Sequence, residues 1–356
     1  MRYIDFDTLE DFMTRALMAA GLPQGDAELS AKVLIASDKR GIDSHGIGRL
    51  KPIYLDRIRA GVIHPVTKID VIKEGPTTGV LDGNNGMGQV VAHRAMTMAI
   101  EKAKTYGLGM VAVRNSNHYG IAGYYATMAS DQGLIGITGT NARPSIAPTF
   151  GVENMLGTNP LTFAMPSDED FPFVLDCATS VSQRGKIEVY QREGKDLPEG
   201  WVIGSEGQAR TDTDQVLKDL VEGGAALTPL GGMGDTLGGH KGYGYATVVE
   251  ILSSALQGGA FLKALAGHGG QPYHLGHFFM AIDIEAFTDL DSFKETTGQI
   301  LRQLRASKKS PHHQRIYTAG EKEYLAYQER LVQGVPINQA LEKDIKQIEA
   351  WYQVKP

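Results

Sequence analysis

The sequence predicts an α/β protein, because segments with strand-like patterns alternate with helical segments through its middle, and because both ends are helical. Near the start, apolar side chains recur at helical spacing over residues 6–20, 26–39 and 45–59. Gly21 and Gly61 follow the first and third of these segments, and glycine commonly ends a helix. The chain is therefore expected to open with three helices.

The middle of the chain alternates between the two kinds of element. Short apolar segments predict strands at 80–82, 109–113, 134–138, 171–176 and 277–284. Helical periodicity predicts helices at 89–106, 123–132, 247–256 and 290–304, and a charged helical tail at 321–352. A polar stretch rich in turn formers predicts an insertion loop at 191–219.

Composition argues against several classes of protein. The 356 residues are 42% hydrophobic and 21% charged, which is typical of a folded chain large enough for two lobes. A net charge of −6 argues against a nucleic-acid partner, which would need clustered lysine and arginine. Cys177 is the sole cysteine, so we expect no internal disulfide, no cysteine-rich zinc site and a reducing, cytoplasmic location.

We expect neither a signal peptide nor a membrane span. The first residues mix acids with apolar residues instead of placing basic residues before an apolar run. The longest apolar stretch, residues 243–256, is interrupted by Glu250 and predicts a buried helix.

The glycine fingerprint of a Rossmann nucleotide-binding unit is missing. In the nearest match, Gly86-x-Gly88, Val91 stands where the third glycine of G-x-G-x-x-G belongs. No Walker A motif occurs either. Any nucleotide is therefore bound by something other than the usual strand, glycine turn and helix.

The first segment that could carry chemistry is DSHGIGR, residues 43–49. Its His45 and Arg49 are four residues apart, which on a helix puts them on one face. An arginine fork binds a carboxylate through two bonds and a neighbouring imidazole can pass a proton to a carbonyl, so the pair suits a 2-oxo acid. The same letters also fit a helix start capped by Asp43 or Ser44, with the other two side chains on the surface.

A second polar segment, RNSNHYG at residues 114–120, lies in the turn between the strand at 109–113 and the next helix. Proteins of the α/β class place their ligands at such turns. His118 is therefore a second acid/base candidate. The alternative is a turn of cap-forming residues with the imidazole bonded to the backbone.

Two further turns could contact a nucleotide. GTNP at residues 157–160 and DCATS at 176–180 combine small residues with hydroxyls, which let backbone amides approach a phosphate or a ribose. Asp176 could bind a ribose hydroxyl or orient a histidine. Two ordinary turns with an aspartate cap would explain the same letters.

The run GGHKGYG at residues 238–244 surrounds Lys241 with glycines just before an apolar helix. Backbone amides, the helix dipole and the ammonium group would all favour an anion there, although a flexible glycine hinge has the same composition. The ten histidines show no spacing of two histidines with an acid, so we expect no metal site.

Together and in this order, these segments resemble the type-2 malate/L-lactate dehydrogenase family, which also includes sulfolactate, ureidoglycolate and diketogulonate dehydrogenases and cyclic-imine reductases. The matching strings are DSHGIGRL, NSNHYG, LGTNPLTFAMP, LDCATS, GGHKGYGYATVVEILSSALQGG and HFFMAID. They extend over residues 43–283, and the flanking helices match in kind, so the resemblance covers nearly the whole chain. The combination is specific, although no single string is.

The resemblance implies a non-Rossmann, sulfolactate-dehydrogenase-like α/β fold with mixed sheets and a helical lobe formed by the N- and C-terminal segments. It implies a homodimer with the active site near the subunit interface. It also implies NAD(P)-dependent reduction of a 2-oxo acid, with malate or L-lactate as the expected substrate and NAD favoured over NADP. Ureidoglycolate, sulfolactate and the cyclic imine delta1-piperideine-2-carboxylate are the alternatives, since all present a carboxylate beside the reacting carbon.

Residue roles follow from the resemblance and the chemistry together. We expect Arg49 to bind the substrate carboxylate, and His45 or His118 to protonate the carbonyl oxygen while the other histidine orients the substrate. Ser44 belongs to the same element, and Asp176 supports a histidine or contacts the cofactor. The implied cofactor-binding residues are Asn141, Thr158, Asn159, Pro160, Asp176, Ala178, Thr179, Ser180, His240, Lys241, Gly242, Gly320 and Glu321.

The expected domain organisation has three parts. Residues 1–75 pack with the C-terminal helices of 321–356, residues 76–120 and 285–320 form a substrate-side region, and residues 121–284 form the NAD(P)-binding domain.

Two departures from the family pattern concern loops. The family's Pro-Gly-Glu turn reads Ala319-Gly320-Glu321 here, and Gly204 stands where the family commonly has an acid after the tryptophan of its central loop. Two other classes of protein compete with this interpretation. A metal-dependent hydrolase or lyase would lose its activity with a chelator, and a non-catalytic ligand-binding relative would turn over no NADH.

Overall fold

The computed structural model describes residues 2–267 and 270–356. Its strands are β1 (Arg2–Ile4), β2 (Asp70–Glu74), β3 (Thr78–Asp82), β4 (Leu108–Ser116), β5 (Leu134–Thr140), β6 (Leu161–Met165), β7 (Phe173–Cys177), β8 (Val202–Gly204), β9 (Ala225–Leu227), β10 (Leu275–Asp283) and β11 (Val335–Ile337). Its helices are α1 (Phe6–Ala19), α2 (Gln24–Lys39), α3 (Ile47–Arg49), α4 (Asp56–Arg59), α5 (Gly88–Tyr106), α6 (Ala122–Ser130), α7 (Arg184–Arg192), α8 (Thr213–Glu222), α9 (Gly239–Leu252), α10 (Leu290–Ala306), α11 (Glu321–Gln333) and α12 (Gln339–Tyr352). A π-helical turn, Leu50–Leu55, joins α3 to α4.

Seven strands form one mixed sheet in the order β2-β3-β4-β10-β5-β6-β7. The β3–β4 pair is parallel, with α5 as the crossover between its strands, and the other pairs are antiparallel. Buried Phe279 on the central strand lies opposite Val111 and Thr138. The mixed sheet confirms the predicted fold class.

Three of the turns that carry the sequence motifs, at residues 114–120, 157–160 and 176–180, lie at the same edge of this sheet, where its strands end or begin. At that edge β4 ends, with Ser116 opposite Leu275 at the start of β10, and β5 ends with Thr140 opposite His277. There too β6 begins and β7 ends, since Leu161 pairs with Cys177. Turns far apart in the sequence therefore lie along one edge, as a ligand-binding site requires.

The two chain ends pack together into the predicted helical lobe. β1 pairs with β11, with Ile4 opposite Val335. Apolar side chains of α1 and α2 share one buried core with Ile345 and Ile348 of α12. The charged tail predicted as helical consists of two helices with β11 between them, because the backbone turns at Gly334, where φ is +83°.

The prediction of an insertion loop at residues 191–219 is wrong for much of that region. This region contains β8 and most of α8, and it packs with α7 and β9 around a core of its own. Val202, Val216 and Leu217 are buried in that core. The high density of polar residues around these few apolar positions masked the helical spacing.

Helix α9 begins at Gly239, well before the predicted start at residue 247. Glycines lower helix propensity, but here they permit close packing: a Cβ added at Gly242 would lie 2.1 Å from the Leu230 carbonyl oxygen. The helix is also not fully buried as predicted, because Tyr245, Val248 and Ile251 are each about half exposed (57%, 48% and 52%). Within the described ranges, no helix is long and apolar enough to cross a membrane.

Candidate active site

The DSHGIGR segment forms a tight turn between α2 and α3 that is built on Asp38. The buried Asp38 carboxylate accepts a hydrogen bond from Ile47 N–H at 2.8 Å. Its Oδ1 would lie only 1.9 Å from a Cβ added at Gly46, so the turn can pack on Asp38 only with glycine at that position. The segment thus places His45 at a defined point beside α2.

A C-terminal arginine holds the same turn from another side. Arg330 of α11 donates to both carboxylate oxygens of Asp43, at 2.6 and 3.0 Å, and to the Asp38 backbone carbonyl at 2.6 Å. Burial raises the pKa of the Asp38 carboxyl to about 8; the Asp43 charge adds to this rise, and the Ile47 amide and Arg330 oppose it. At neutral pH the carboxyl under the turn is therefore largely protonated.

The structure brings the two candidate acid/base histidines together. The rings of His45 and His118 stack with centroids 5.7 Å apart and planes inclined by 18°. Ser44 Oγ lies 2.8 Å from His45 Nδ1, and the Tyr54 hydroxyl lies 2.6 Å from His118 Nδ1. Gly120 N–H also donates to His118 Nδ1, at 3.3 Å, which favours a proton on Nε2 of the neutral ring. Each ring is therefore held through one nitrogen while the other nitrogen is left for a substrate.

Both imidazoles are neutral at pH 7. Burial, and to a smaller extent the charge of Arg49, lower the pKa of His45 to about 4. Burial also holds the pKa of His118 well below 6.5, with His45 and Arg49 acting in the same direction. Two uncharged rings beside a fixed cation form a site whose protonation responds to an arriving anion.

The π-helical turn aligns Arg49 with Tyr54. In a regular α-helix, residues five apart point about 140° away from each other, whereas the i→i+5 bonding of a π-turn brings them close to one face. The Arg49 Nε donates to the Ser44 carbonyl, and no carboxylate in the described part of the chain pairs with its guanidinium. The rest of the fork is therefore available to a ligand carboxylate.

Asp176 supports neither histidine, contrary to one of the sequence-based expectations. Its carboxylate accepts from Gly123 N–H at 2.6 Å and from the Thr162 hydroxyl at 2.9 Å. It thereby caps the first turn of α6 and joins it to β6. Burial raises the pKa of Asp176, and these two hydrogen bonds and the charge of Arg40 oppose the rise.

A cavity of about 600 Å³ lies between α2, β7 and α11, and we refer to it as the α2–β7–α11 cavity. Asp176 and Gly320 both line it. Phe171 and Tyr324 form an aromatic wall, with stacked rings 5.2 Å apart. Glu321 lies behind this wall: it is buried and accepts from Thr318 N–H at 3.0 Å, so it holds the turn that presents Gly320.

The candidate cofactor residues at the sheet edge are mostly committed to the protein itself. The Asn141 amide bonds to backbone at Ser253, Ala260 and Gly276, and the Asn159 amide bonds to Ala246 and to buried Glu250. These bonds anchor α9 and the loop after it. The side chain of Asn141 is thus fully used by the protein, whereas Asn159 Oδ1 is buried without a hydrogen-bond partner.

The hydroxyls of Thr179 and Ser180 are used in the same way, whereas that of Thr158 makes no hydrogen bond within the described residues. Thr179 Oγ1 donates to the backbone carbonyls of Thr158 and Asn159, and Ser180 Oγ donates to the Ser182 carbonyl. Pro160 and Ala178 carry no polar side chain that could bind a ligand. This part of the edge is a rigid backbone surface.

The glycine run before α9 places a cation at the helix start. Gly238 is the N-cap, with φ +90°, and His240, Lys241 and Gly242 form the first helical turn rather than a preceding loop. His240 and Lys241 are exposed, and Gly242 is buried against Leu230. Free amides and an exposed ammonium group at one helix start favour an anion.

Several functional candidates were missed by the sequence analysis. Tyr54 contacts His118, Asp38 and Arg330 hold the DSHGIGR turn, and Arg57 lies close to Tyr54. The only signal for Tyr54 was its place five residues after Arg49, which marks a shared face in a π-turn but not in an α-helix. Among residues 2–267 and 270–356, no cluster of histidine, cysteine and acidic side chains is arranged to hold a metal ion.

Comparison with known proteins gives consistent matches over nearly the whole chain. A family model described as malate/L-lactate dehydrogenase matches residues 4–346. The malate dehydrogenase of Pyrococcus horikoshii is 48% identical over 342 residues, covering 96% of this chain and 93% of the relative. The crystal structure of malate dehydrogenase from Entamoeba histolytica has a TM-score of 0.96 at 46% identity, covering 100% of this chain and 99% of the other. The sulfolactate dehydrogenase of Methanocaldococcus jannaschii has a TM-score of 0.88 at 34% identity, covering 99% and 98%.

Proposed function

The chain belongs to the malate/L-lactate dehydrogenase family, and we propose that it transfers a hydride between NAD and malate. It is an oxidoreductase that acts on 2-hydroxy acids; malate and NAD are the specific choices proposed. One observation carries the proposal: the half-buried, neutral rings of His45 and His118 lie beside the guanidinium of Arg49, which pairs with no carboxylate among the described residues. A carboxylate next to a carbonyl matches this set of groups.

In the proposed reduction, Arg49 holds the carboxylate of the 2-oxo acid through two charge-assisted hydrogen bonds. Burial is the main cause of the lowered pKa of His118, and the charge of Arg49 acts in the same direction, so a bound carboxylate that offsets this charge favours the protonated ring. His118 then gives the Nε2 proton to the carbonyl oxygen, which yields the 2-hydroxy acid and a neutral ring. The nicotinamide cofactor supplies the hydride for this reduction and accepts it in the reverse direction.

Tyr54 and His45 serve as positioning residues in this scheme. The Tyr54 hydroxyl can donate to a bare His118 Nδ1 and can accept from a protonated one, so it orients the ring in both states. His45, held by Ser44, stacks on the same ring and limits its movement. The His118 ring therefore keeps one orientation toward the substrate carbonyl throughout turnover.

We propose that the α2–β7–α11 cavity takes the adenosine half of the cofactor. Its aromatic wall of Phe171 and Tyr324 suits a nucleobase, and the backbone at Gly320 lies open to a ribose. The exposed Lys241 at the start of α9 is the proposed partner of the phosphates. This arrangement would replace the glycine-rich turn of the Rossmann fold.

The charges of the cavity favour NAD over NADP in this proposal. The three cations that line it, Lys39, Arg40 and Lys322, are matched by three carboxylates, Asp170, Asp176 and Glu323. A 2′-phosphate carries negative charge and needs a local excess of cations, which this wall does not offer.

Replacing His45 and His118 separately by glutamine tests the proposed chemistry. We expect His118→Gln to lower kcat for oxaloacetate reduction by about 10²–10⁴-fold, because it removes the proton donor, and His45→Gln to lower it less. Turnover is followed by NADH absorbance, and NADH binding by fluorescence, which both variants are expected to retain.

The half-buried His93 of α5 provides the matched control, since His93→Gln changes the same residue type outside the His45–His118 pair, beside Lys32. Near-wild-type turnover in both active-site variants would rule out the assigned acid/base roles. Failure of the wild-type protein to oxidise or reduce any 2-hydroxy or 2-oxo acid would rule out the function itself.

We also propose that two copies associate through the exposed apolar face of α9. Tyr245, Val248 and Ile251 lie on this face, and Leu237 just before the helix is 83% exposed. A contiguous exposed apolar patch is unusual on a monomer and typical of an interface. Because α9 also carries Lys241, such an interface would lie close to the proposed cofactor site.

The proposed setting is a reducing cytoplasm. Cys177 is a free thiol, and burial followed by the charge of Asp176 raises its pKa. A thiol that stays protonated reacts slowly with oxidants, which is consistent with a protein that relies on no disulfide.

A further inference from the structure

Arg57 brings to the site a positive charge that the reduction of a simple 2-oxo acid does not use. It lies on α4, and its Nη1 is buried without a hydrogen-bond partner. The guanidinium packs on the ring of Tyr273, with Cζ 3.7 Å from the ring centroid. No carboxylate pairs with it in the ranges the structure describes. A buried donor of a charged group left without a partner is costly, so it needs an explanation.

The helical segment places Arg57 on the histidine side of the site. Tyr54 precedes it by three residues, which stacks the two side chains on one face, and the Tyr54 hydroxyl contacts His118. Arg49 shares that face through the π-helical turn. The charges of Arg49 and Arg57 both act on the His118 ring, so both arginines lie near the same acid/base group.

A third arginine approaches from the sheet edge. Arg143 is exposed on the loop after β5. Burial lowers the pKa of Arg57; Tyr273 and Tyr54 oppose this, and the nearby charge of Arg143 lowers the pKa further. Like charges with no acid between them in the described part of the chain repel each other, and an anion from outside the chain would relieve this repulsion.

We propose that Arg57 and Arg143 bind a second anionic group of the substrate, opposite the carboxylate held by Arg49, so that the enzyme selects 2-oxo-dicarboxylates over 2-oxo-monocarboxylates. This inference rests on the proposed function and assigns residues to its specificity. A four-carbon 2-oxo diacid has its second carboxylate only one methylene carbon beyond the carbonyl, so both of its charged ends can be met by cations that lie near the same histidine ring.

The preference for a dicarboxylate would have two causes: the favourable pairing of the dicarboxylate and the unfavourable binding of the monocarboxylate. A dicarboxylate pairs with both forks, whereas a monocarboxylate places a methyl group against Arg57 and leaves that charge desolvated and unpaired. Sites built around a charged or polar group discriminate strongly against a ligand that leaves the group unsatisfied. Arg57 thus contributes to specificity and takes no part in proton transfer.

The test compares oxaloacetate with pyruvate in the full-length protein, using NADH. We expect Arg57→Met to lower kcat/KM for oxaloacetate by roughly 100-fold, since a charged pair with the second carboxylate is lost, and to change pyruvate by less than about threefold. Arg143→Met should lower oxaloacetate activity by about tenfold, because that side chain is more exposed. The effect should lie in KM more than in kcat, as for a binding residue.

Arg59→Met is the matched control. This neighbour on α4 packs on Trp351, with Cζ 4.1 Å from the ring centroid, so its removal should leave the ratio of the two substrates unchanged. If Arg57→Met lowered both substrates by the same factor, or neither, the proposed second anion site would be overturned.

A binding measurement separates this inference from the proposed function. The rise in Tm caused by L-malate and by L-lactate, each with NAD present, requires no turnover. We expect malate to stabilise the wild-type protein more than lactate, and Arg57→Met to abolish the difference. Equal stabilisation by both acids in the wild type would overturn the second anion site even if hydride transfer stood. A difference that depends on Arg57 in a protein without dehydrogenase activity would support the anion site and overturn the function.

Discussion

His45 and His118 depend on single hydroxyl groups for their orientation. Ser44 holds one ring and Tyr54 the other, each through Nδ1. Burial keeps both rings neutral, so neither is oriented by an ion pair. An acid/base residue that is positioned by a neutral partner loses its direction when that partner is removed, even though the fold survives.

Replacing Tyr54 with phenylalanine tests this arrangement. The variant keeps the buried ring but loses the 2.6 Å contact with His118 Nδ1. We expect kcat for oxaloacetate reduction to fall by about 10- to 100-fold and KM to change by less than about threefold. The pH profile of kcat should also shift, which loss of packing alone would not cause.

Tyr352→Phe is the control, because its hydroxyl is buried without a partner. An unchanged kcat and pH profile in Tyr54→Phe would contradict a positioning role for Tyr54.

Asp38 predicts a loss of stability toward alkaline pH. Its pKa rises from 3.8 to about 8 on folding, so the folded state holds a proton that the unfolded state has released. Its stabilising contribution is full below pH 3.8 and is lost as pH rises through 8, at about 1.4 kcal/mol per pH unit between these values. His45 acts in the opposite direction, but only between its folded pKa of about 4 and 6.5.

Between pH 6.5 and 8 the Asp38 effect should therefore dominate. The free energy of unfolding of the wild type should fall between pH 6.5 and pH 8. In Asp38→Asn we expect this fall to be smaller by about 2 kcal/mol. Urea denaturation at the two pH values measures it. The exposed Asp235→Asn provides the control, and equal slopes in Asp38→Asn and the wild type would contradict a raised pKa.

At the scale of elements, the turn between α2 and α3 depends on one close approach. An added Cβ at Gly46 would collide with the Asp38 carboxylate at 1.9 Å, whereas one at Gly48 would meet nothing closer than the Asp43 carbonyl at 3.6 Å. The two glycines lie in the same short segment and differ mainly in this contact.

This pair provides a matched comparison. We expect Gly46→Ala to lower the free energy of unfolding by about 2 kcal/mol or more, because either Asp38 or the turn must move. Gly48→Ala should change it by less than about 1 kcal/mol. Urea denaturation gives the stability, and kcat/KM for oxaloacetate shows whether His45 has moved. Similar losses in both variants would contradict the role given to Asp38.

Element boundaries were predictable where periodicity acted alone. The bounds of α1, α5 and α10 lie within two residues of the predicted ones. The start of α9 and the small core around Val202 and Val216 were missed, because close backbone packing and a few apolar contacts overrode local composition. The π-helical turn was equally invisible, since no local rule distinguishes it from an α-helix.

At the scale of the whole molecule, the exposed face of α9 predicts self-association. Val248 lies near the middle of that face and is about half exposed. We expect Val248→Glu to convert a dimer into a monomer, because a charge buried in an apolar interface is strongly unfavourable. Sedimentation or light scattering measures the mass.

Val332→Glu is the control, since Val332 is 88% exposed at the end of a different helix, α11. A wild-type protein that is monomeric at micromolar concentration, or a Val248→Glu variant that remains a dimer, would contradict the proposed interface.

The sequence by itself determined the α/β class, the helical chain ends and the family, because periodicity and motif order are properties of neighbouring residues. The sequence also indicated His45, His118 and Arg49, because proton transfer by an imidazole and carboxylate binding by a guanidinium follow from the residue types alone. The local alternative, a capped helix start, could not be dismissed from those letters, since capping and catalysis use the same residue types.

Only the tertiary structure decided which of these residues meet. The stacking of His45 on His118 and the 2.6 Å contact of the Tyr54 hydroxyl with His118 depend on the path of the chain between these residues. The same path places Asp176 against Gly123 instead of against a histidine. The same is true of the unpaired charge of Arg57, which has meaning only because no acid folds back onto it within the described residues. Contacts between distant segments form when the whole chain packs, and the spacing of residues within one segment does not determine them.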